Sequence, residues 1–256
     1  MSVHGLHATG IAGDPASPVH RLDPRAKIVG LAGITLVGVS TATGHWPVLV
    51  ACALALAAVA VAARVGPGVV WSRARVVLPL VVFVAVFVPF VRGGEQVDLG
   101  PFAVSRDGLA TFASVASKAA IGTVSAVLLG ATTSFPDVLH GLERMRAPRL
   151  LVLIAAFMYR YLFVIADEAR RMRVALASRG YRPRHALQAA AIGRVAISLF
   201  LRTYDRAERV YVAMLARGYS GPTPRLDALV FRRADTLFVV GVAGALLPLR
   251  VLVGAS

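Results

Sequence analysis

Six stretches of this chain are apolar for 15 residues or more, and none holds more than one charged side chain: Ile28 to Ala42, Pro47 to Ala63, Val76 to Val91, Leu109 to Ala131, Leu150 to Ala166 and Thr236 to Val253. A bilayer core of about 30 Å needs roughly 20 helical residues to cross it, and each run comes close to that length. None alternates polar and apolar residues as a membrane β-strand would. With 57% hydrophobic residues and a mean hydropathy of +0.70, the chain is more apolar than the roughly 45–50% of soluble domains. The reading is all-α, a polytopic membrane protein. The arm Met1 to His20 lacks the charged and then apolar layout of a cleavable signal and reads as part of the mature chain. Cys52 is the single cysteine, so no disulfide forms within the chain, and its place in an apolar run suits a small buried residue.

The formal charge is +15, from 28 basic and 13 acidic residues. In a soluble protein that balance would suggest a nucleic-acid partner. Between apolar spans it reports first which loops stay in the cytoplasm. Arg64 to Arg75 carries three arginines and no acid, and Leu139 to Arg149 is similarly basic, so both belong inside with the N-terminus. Arg92 to Asp107 is near neutral and suits the outside. Were Leu150 to Ala166 to cross next, the arginines from Arg170 to Arg184 would all fall outside. From Arg144 to Arg233 there are 18 arginines against five acids, the composition of a cytoplasm-facing block. The expected layout is a cytoplasmic arm (1–26), four membrane helices (27–132), a cytoplasmic coupling domain (133–233) and a last membrane helix (234–256). That makes about five transmembrane helices, with six as the alternative.

Within the basic block two long helices are expected. Arg149 to Arg179 contains neither proline nor glycine over 31 residues, about 46 Å of helix. A second runs from about Ala186 to Arg217. Each stops at a glycine, Gly180 and Gly218, followed by Pro183 and Pro222. Glycine supplies the left-handed backbone that commonly ends a helix, and the preceding arginine suits the negative end of the dipole. The two endings are copies. Aligned at an offset of 38, Asp167–Tyr181 and Asp205–Tyr219 agree at eight of fifteen positions, including Asp167/Asp205, Arg171/Arg209 and Arg179-Gly180-Tyr181/Arg217-Gly218-Tyr219. Asp167 with Arg171, and Asp205 with Arg209, are spaced as i,i+4 pairs on exposed helix. Two polar helix ends, each offering an arginine fork, fit a partner with two equivalent acidic or carbonyl-lined grooves.

At HRLDPRAKI (His20–Ile28), ATTSFPDVLHGLERMRAPR (Ala131–Arg149), MYRYLFVIADEARRMRVALASRG (Met158–Gly180) and LFLRTYDRAERVYVAMLARG (Leu199–Gly218) the chain resembles the transmembrane T component of energy-coupling factor (ECF) transporters, in the cobalt branch of CbiQ-like proteins. The resemblance implies a membrane part supporting a cytoplasmic coupling part. Its two helix ends, each a small-Arg-Gly word, would sit in grooves of two ABC-type ATPase subunits. Ala216-Arg217-Gly218 matches the word fully; Ser178-Arg179-Gly180 has serine for alanine and keeps the small size. Those six residues are the ATPase-coupling site the resemblance implies. It also implies a CbiM-like substrate-binding membrane subunit (S component), a small accessory membrane subunit, and a plasma (inner) membrane location with coupling domain and N-terminus in the cytoplasm.

No Gly-x-x-x-x-Gly-Lys-Ser/Thr phosphate loop occurs, so ATP belongs to partner subunits and no catalytic residue, cofactor or resident metal is expected. Asp107-Gly108-Leu109-Ala110 opens like a phosphatidyltransferase signature but continues Thr111-Phe112 instead of Ala-Arg. The six histidines, His4, His7, His20, His45, His140 and His185, show no ligand spacing; Ser2-Val3-His4 would suit square-planar Cu(II) or Ni(II) only with a free amine at Ser2. Lys118 and Arg160 stand inside apolar stretches, where a charge needs a polar partner. The reading is therefore the coupling subunit of a micronutrient transporter, for cobalt by the resemblance. Nickel, biotin or another vitamin is the alternative within transport, and a membrane enzyme or nucleic-acid tether the alternative outside it.

Overall fold

The computed structural model describes residues 17–42, 44–75, 79, 83, 96–99, 102–181, 189–221 and 231–254. The fold is all-α. Among the described residues its helices are α1 (Pro24–Ser40), α2 (Trp46–Ala62), α3 (Pro67–Ala74), α4 (Arg106–Thr132), α5 (Phe135–Arg144), α6 (Arg149–Ser178), α7 (Ala189–Ala216) and α8 (Arg233–Gly254). Proline occupies the first turn of α1, α2, α3 and α5, where the missing N–H would have had no helical partner and the fixed φ is already helical. The chain divides into two compact units: Met1–Pro148 with Val230–Ser256, and Arg149–Leu229. The amphipathic α5 goes with the first unit because it packs on α1.

Five of the six apolar runs appear as α1, α2, α4, α6 and α8. Of Val76 to Val91 only Pro79 and Phe83 are described, both helical, and the rest lies outside the described residues, as do the N-terminal arm to Ala16 and the Ser2-Val3-His4 end. Two of the described helices are long and apolar enough to cross a membrane, α4 over Ala110–Thr132 and α6, with Trp46–Ala62 shorter. Two loops hold more structure than their sequence suggested. The short α3 forms within the basic Arg64–Arg75 connection. The near-neutral loop before α4 contains an antiparallel hairpin of β1 (Gln96–Leu99) and β2 (Phe102–Ser105), with Val97 opposite Val104 and Leu99 opposite Phe102. Branched and aromatic residues at alternate positions favour that pairing.

In the first unit α1 is the hub, touching α2, α4, α5 and α8. Leu31, Ile34 and Val37 of α1 join Val48, Cys52, Leu56, Ile121, Leu128 and Leu246 in one core. Glycine makes the α1–α8 approach feasible: a Cβ on Gly30 would lie 2.5 Å from Phe238 Cε1. Gly30→Leu is expected to destabilise the bundle by about 1–3 kcal/mol through overpacking, read as a lowered unfolding temperature in detergent. Phe238→Ala in the same chain should recover part of that loss.

Two polar ties seal the bundle. Of the 28 basic residues only Lys27 and Lys118 are lysine. Lys27, 2% exposed, donates from Nζ to the carbonyl of Thr132 (2.9 Å), the last residue of α4, and to that of His20 (3.1 Å). Lys118 of α4 donates to the carbonyl of Thr41 (2.6 Å), the C-cap of α1. The two helices run antiparallel, and each lends one ammonium to the other's C-terminus, where carbonyls lack partners and the dipole is negative. A compact ammonium with three donors suits such a site better than a planar guanidinium. The polar partner expected for Lys118 is therefore a helix end.

The second tie is Asp235, also 2% exposed. One carboxylate oxygen accepts the N–H of Arg232 (2.7 Å), just before its own helix α8; the other accepts the N–H of Asp23 (2.7 Å), the N-cap of α1. The Asp23 side chain in turn accepts the N–H of Arg25 at 2.9 Å. A single acidic group thus closes the starts of two helices, satisfying donors that burial would otherwise strand.

Candidate coupling site

The unit Arg149–Leu229 consists of α6 and α7 with their flanking turns. The helix expected over Arg149 to Arg179 is present as Arg149–Ser178; the one expected from about Ala186 is described from Ala189. Val152 is the one buried residue in α6, and the described part of α7 has none.

Both helices end in the same turn. After α6 the N–H of Gly180 bonds to the carbonyl of Ala177 (3.0 Å) and that of Tyr181 to Leu176 (3.1 Å); after α7, Gly218 bonds to Leu215 (2.9 Å) and Tyr219 to Met214 (3.0 Å). These are the two bonds of the Schellman motif, with the glycine in the left-handed region. Gly180 has φ +74° and Gly218 φ +79°. In both copies Ser178-Arg179-Gly180 and Ala216-Arg217-Gly218 are exposed, while the residues that bracket the turn, Leu176 with Tyr181 and Met214 with Tyr219, are half-buried. The arginine of each turn is thus more exposed than the two residues that bracket it. Nothing lies within 4 Å of a Cβ built on either glycine, so Gly180→Ala and Gly218→Ala cost only the left-handed backbone, about 1–2 kcal/mol each. Faster amide hydrogen exchange over the last turn of each helix is the measurement that checks it.

Two further helices close in the same way without glycine. Arg64 (φ +50°) follows α2 and Arg146 (φ +65°) follows α5, each placed where Gly180 and Gly218 stand. These arginines are exposed, and their sequences carried no glycine signal to mark the turn.

α6 and α7 touch beside a groove of about 550 Å³. From α6 it is lined by Phe157, Met158, Tyr161, Val164, Ile165 and Glu168; Arg202, Asp205, Arg206 and Arg209 of α7 stand opposite. Glu168 crosses it. One carboxylate oxygen accepts Arg171 on its own helix (2.5 Å) and the other accepts Arg202 of α7 (2.9 Å). The i,i+4 pairing expected between Asp167 and Arg171 is replaced: Arg171 turns to Glu168, and Asp167 lies 3.9 Å from Arg170. Asp205 and Arg209 form no ion pair either among the described residues. Glu168, held from across the groove by Arg202, is the better-placed acid at i,i+3, which is why the copied spacing does not give copied pairs. Arg160 is exposed on α6.

Among the described residues no three His, Cys, Asp or Glu side chains gather where they would hold a metal ion. His4, His7, His185, Pro183 and Pro222 lie outside the described residues.

A family model described as "CbiQ: Cobalt transport protein" matches residues 15–227. The chain belongs to this CbiQ family. Relatives of this CbiQ-family chain include the energy-coupling factor transporter transmembrane protein EcfT of Bacillus selenitireducens, 30% identical over 80% of this chain and 81% of its own length. The cobalt transport protein CbiQ of Rhodobacter capsulatus is 30% identical over 57% of this chain and 59% of its own. A putative fused cobalt transport protein CbiMQ of Methanocorpusculum labreanum is 26% identical over 80% of this chain. The CbiQ-family chain spans only 35% of that fused relative. It also spans 31% of a putative ABC transporter ATP-binding protein of Bifidobacterium longum, at 28% identity.

Sequence reasoning located both tips and both long helices of the CbiQ-family chain. It missed the Glu168–Arg202 link and the Lys27 and Asp235 ties. The scarcity of lysine was the available signal for Lys27; nothing in the spacing of Glu168 and Arg202, 34 residues apart, announces their contact.

Proposed function

We propose that this chain is the transmembrane coupling component of an ECF-type transporter for cobalt. In this reading it hydrolyses nothing. Ser178-Arg179-Gly180 and Ala216-Arg217-Gly218 dock in grooves of two ABC-type ATPase subunits, and the bundle of α1, α2, α4 and α8 supports a CbiM-like substrate-binding membrane subunit, with a small accessory membrane subunit beside it. About five helices cross the plasma membrane, while α6 and α7 stay in the cytoplasm because the arginines that follow α6 would otherwise face outward. Nucleotide-driven closure of the ATPases moves the tips, and the difference in contacts between the two states carries the energy.

The observation that carries the reading is the matched pair of exposed arginines on identical glycine-closed turns. The fused relative, whose printed name joins CbiM and CbiQ, and the relative named as an ATP-binding protein support partners of these kinds. The experiment is purification of the tagged chain with its genomic neighbours, followed by uptake of radiolabelled cobalt, nickel and biotin into energised vesicles. Copurified ATPases with cobalt uptake are expected. Uptake of nickel or biotin instead reassigns the substrate, and absence of ATPase subunits from the complex overturns the reading.

A further inference from the structure

The contact between α6 and α7 differs from an ordinary helix packing. Neither helix buries more than Val152 among the described residues, and an open groove of about 550 Å³ lies at their meeting point. Side-chain packing, which normally sets the angle between helices, is therefore thin here. Among the described residues, Glu168 and Arg202 form the one ion pair between the two helices.

The duplication shows that this pair is a departure from symmetry. At the offset of 38, Glu168 corresponds to Arg206, and Arg202 corresponds to Val164. All four line the groove. Two faithful copies would make this link twice, with an acid at position 206 meeting a base at position 164. The mate that symmetry would generate joins Arg206 to Val164, which cannot pair. One link, not two, spans the helices, and it is placed as a pivot is.

From Glu168 to Arg179 is 11 residues and from Arg202 to Arg217 is 15, so the arms beyond the link measure about 16 and 22 Å at 1.5 Å per residue. A tilt of about 10° at the link displaces the tips by about 3–4 Å on arms of that length. We propose that Glu168 and Arg202 are positioning residues: their ion pair sets the angle between α6 and α7, and with it the separation of the Arg179 and Arg217 tips through which ATPase closure reaches the membrane part. The inference rests on the reading under Proposed function. Arg202 is 63% exposed at its side chain, and a pair so placed adds little to folding stability, so its loss leaves the fold intact and alters the lever.

The test uses the assembled complex with E168Q, R202Q, the double variant and R202K. Transport per ATP hydrolysed is expected to fall about fivefold in each single glutamine variant, with unfolding temperature and subunit composition unchanged. The double variant should be no worse than E168Q, because R202Q removes only the link between helices that E168Q already removes, while the Arg171 pair that E168Q also loses lies within α6. R202K, which keeps the charge, should regain most of the coupling. Spin labels at V174C and V212C, in a chain with C52A, report the separation of the arms, and the distance distribution should broaden in E168Q. Unchanged coupling and distances in both single variants, or losses that multiply in the double, overturn the proposal. If R179E/R217E releases the ATPases while E168Q and R202Q couple normally, only the pivot is lost; if R179E/R217E retains them, the underlying reading fails and the pivot with it.

Discussion

Replacing Arg179 and Arg217 together by glutamate is expected to strip the ATPase subunits from the purified complex. Removing one member of a buried, hydrogen-bonded charge pair at an interface costs about 2–5 kcal/mol, and 1.4 kcal/mol is a factor of ten in affinity. Each tip therefore accounts for about 30-fold or more at the lower bound of that range. On the proposed docking of both tips the losses would compound, since the second docking would be an intramolecular event after the first. Reversal of charge adds repulsion from whatever acidic or carbonyl surface received the guanidinium. The chain itself should fold unchanged, because the turns are closed by the backbone N–H groups of Gly180, Tyr181, Gly218 and Tyr219 and not by arginine side chains. Quantifying the ATPases that copurify, beside circular dichroism of the isolated subunit, separates the two effects. Single variants should retain an intermediate amount, and full retention in the double variant would remove the tips from the coupling site.

Lys27→Met is expected to be the most damaging single substitution in the bundle, lowering stability by about 3–5 kcal/mol. The ammonium is buried, two backbone carbonyls receive its protons, and Asp137, Asp235 and Asp23 carry the acidic charges around it. Methionine fills similar space, so the loss is electrostatic: the carbonyls of His20 and Thr132 lose their donor, and the carboxylates lose their counter-charge. Lys118→Met, at a half-buried site with one carbonyl partner, should cost about 1–3 kcal/mol. Thermal unfolding in a single detergent orders the two. Equal effects would mean that the carbonyl contacts, and not the acidic surroundings of Lys27, carry the stabilisation.

Much of the local structure was written in short-range chemistry. Apolar runs placed α1, α2, α4, α6 and α8, and the absence of proline and glycine through Arg149–Arg179 placed α6 to within a residue of its C-terminus. Gly180 and Gly218 announced left-handed stops because glycine adopts positive φ without a Cβ penalty. Where a turn was closed by arginine, as at Arg64 and Arg146, the same geometry left no mark in the sequence. The i,i+4 spacing of Asp167 and Arg171 suggested a pair that the protein does not make. Local spacing lists the acids within reach; it does not record that Arg202, from another helix, holds the nearer one.

By itself, then, the sequence determined which segments are apolar helices, where the two long ones end, and that each end carries an arginine at a glycine turn, since these depend on neighbours a few residues apart. Tertiary structure alone decided that Lys27 and Lys118 cap each other's helices, that Asp235 closes the start of α1 as well as α8, and that Glu168 reaches Arg202. Each of those links joins groups tens to hundreds of residues apart along the chain. Which charge meets which partner follows from how the helices are brought together, and no periodicity of a single helix encodes that.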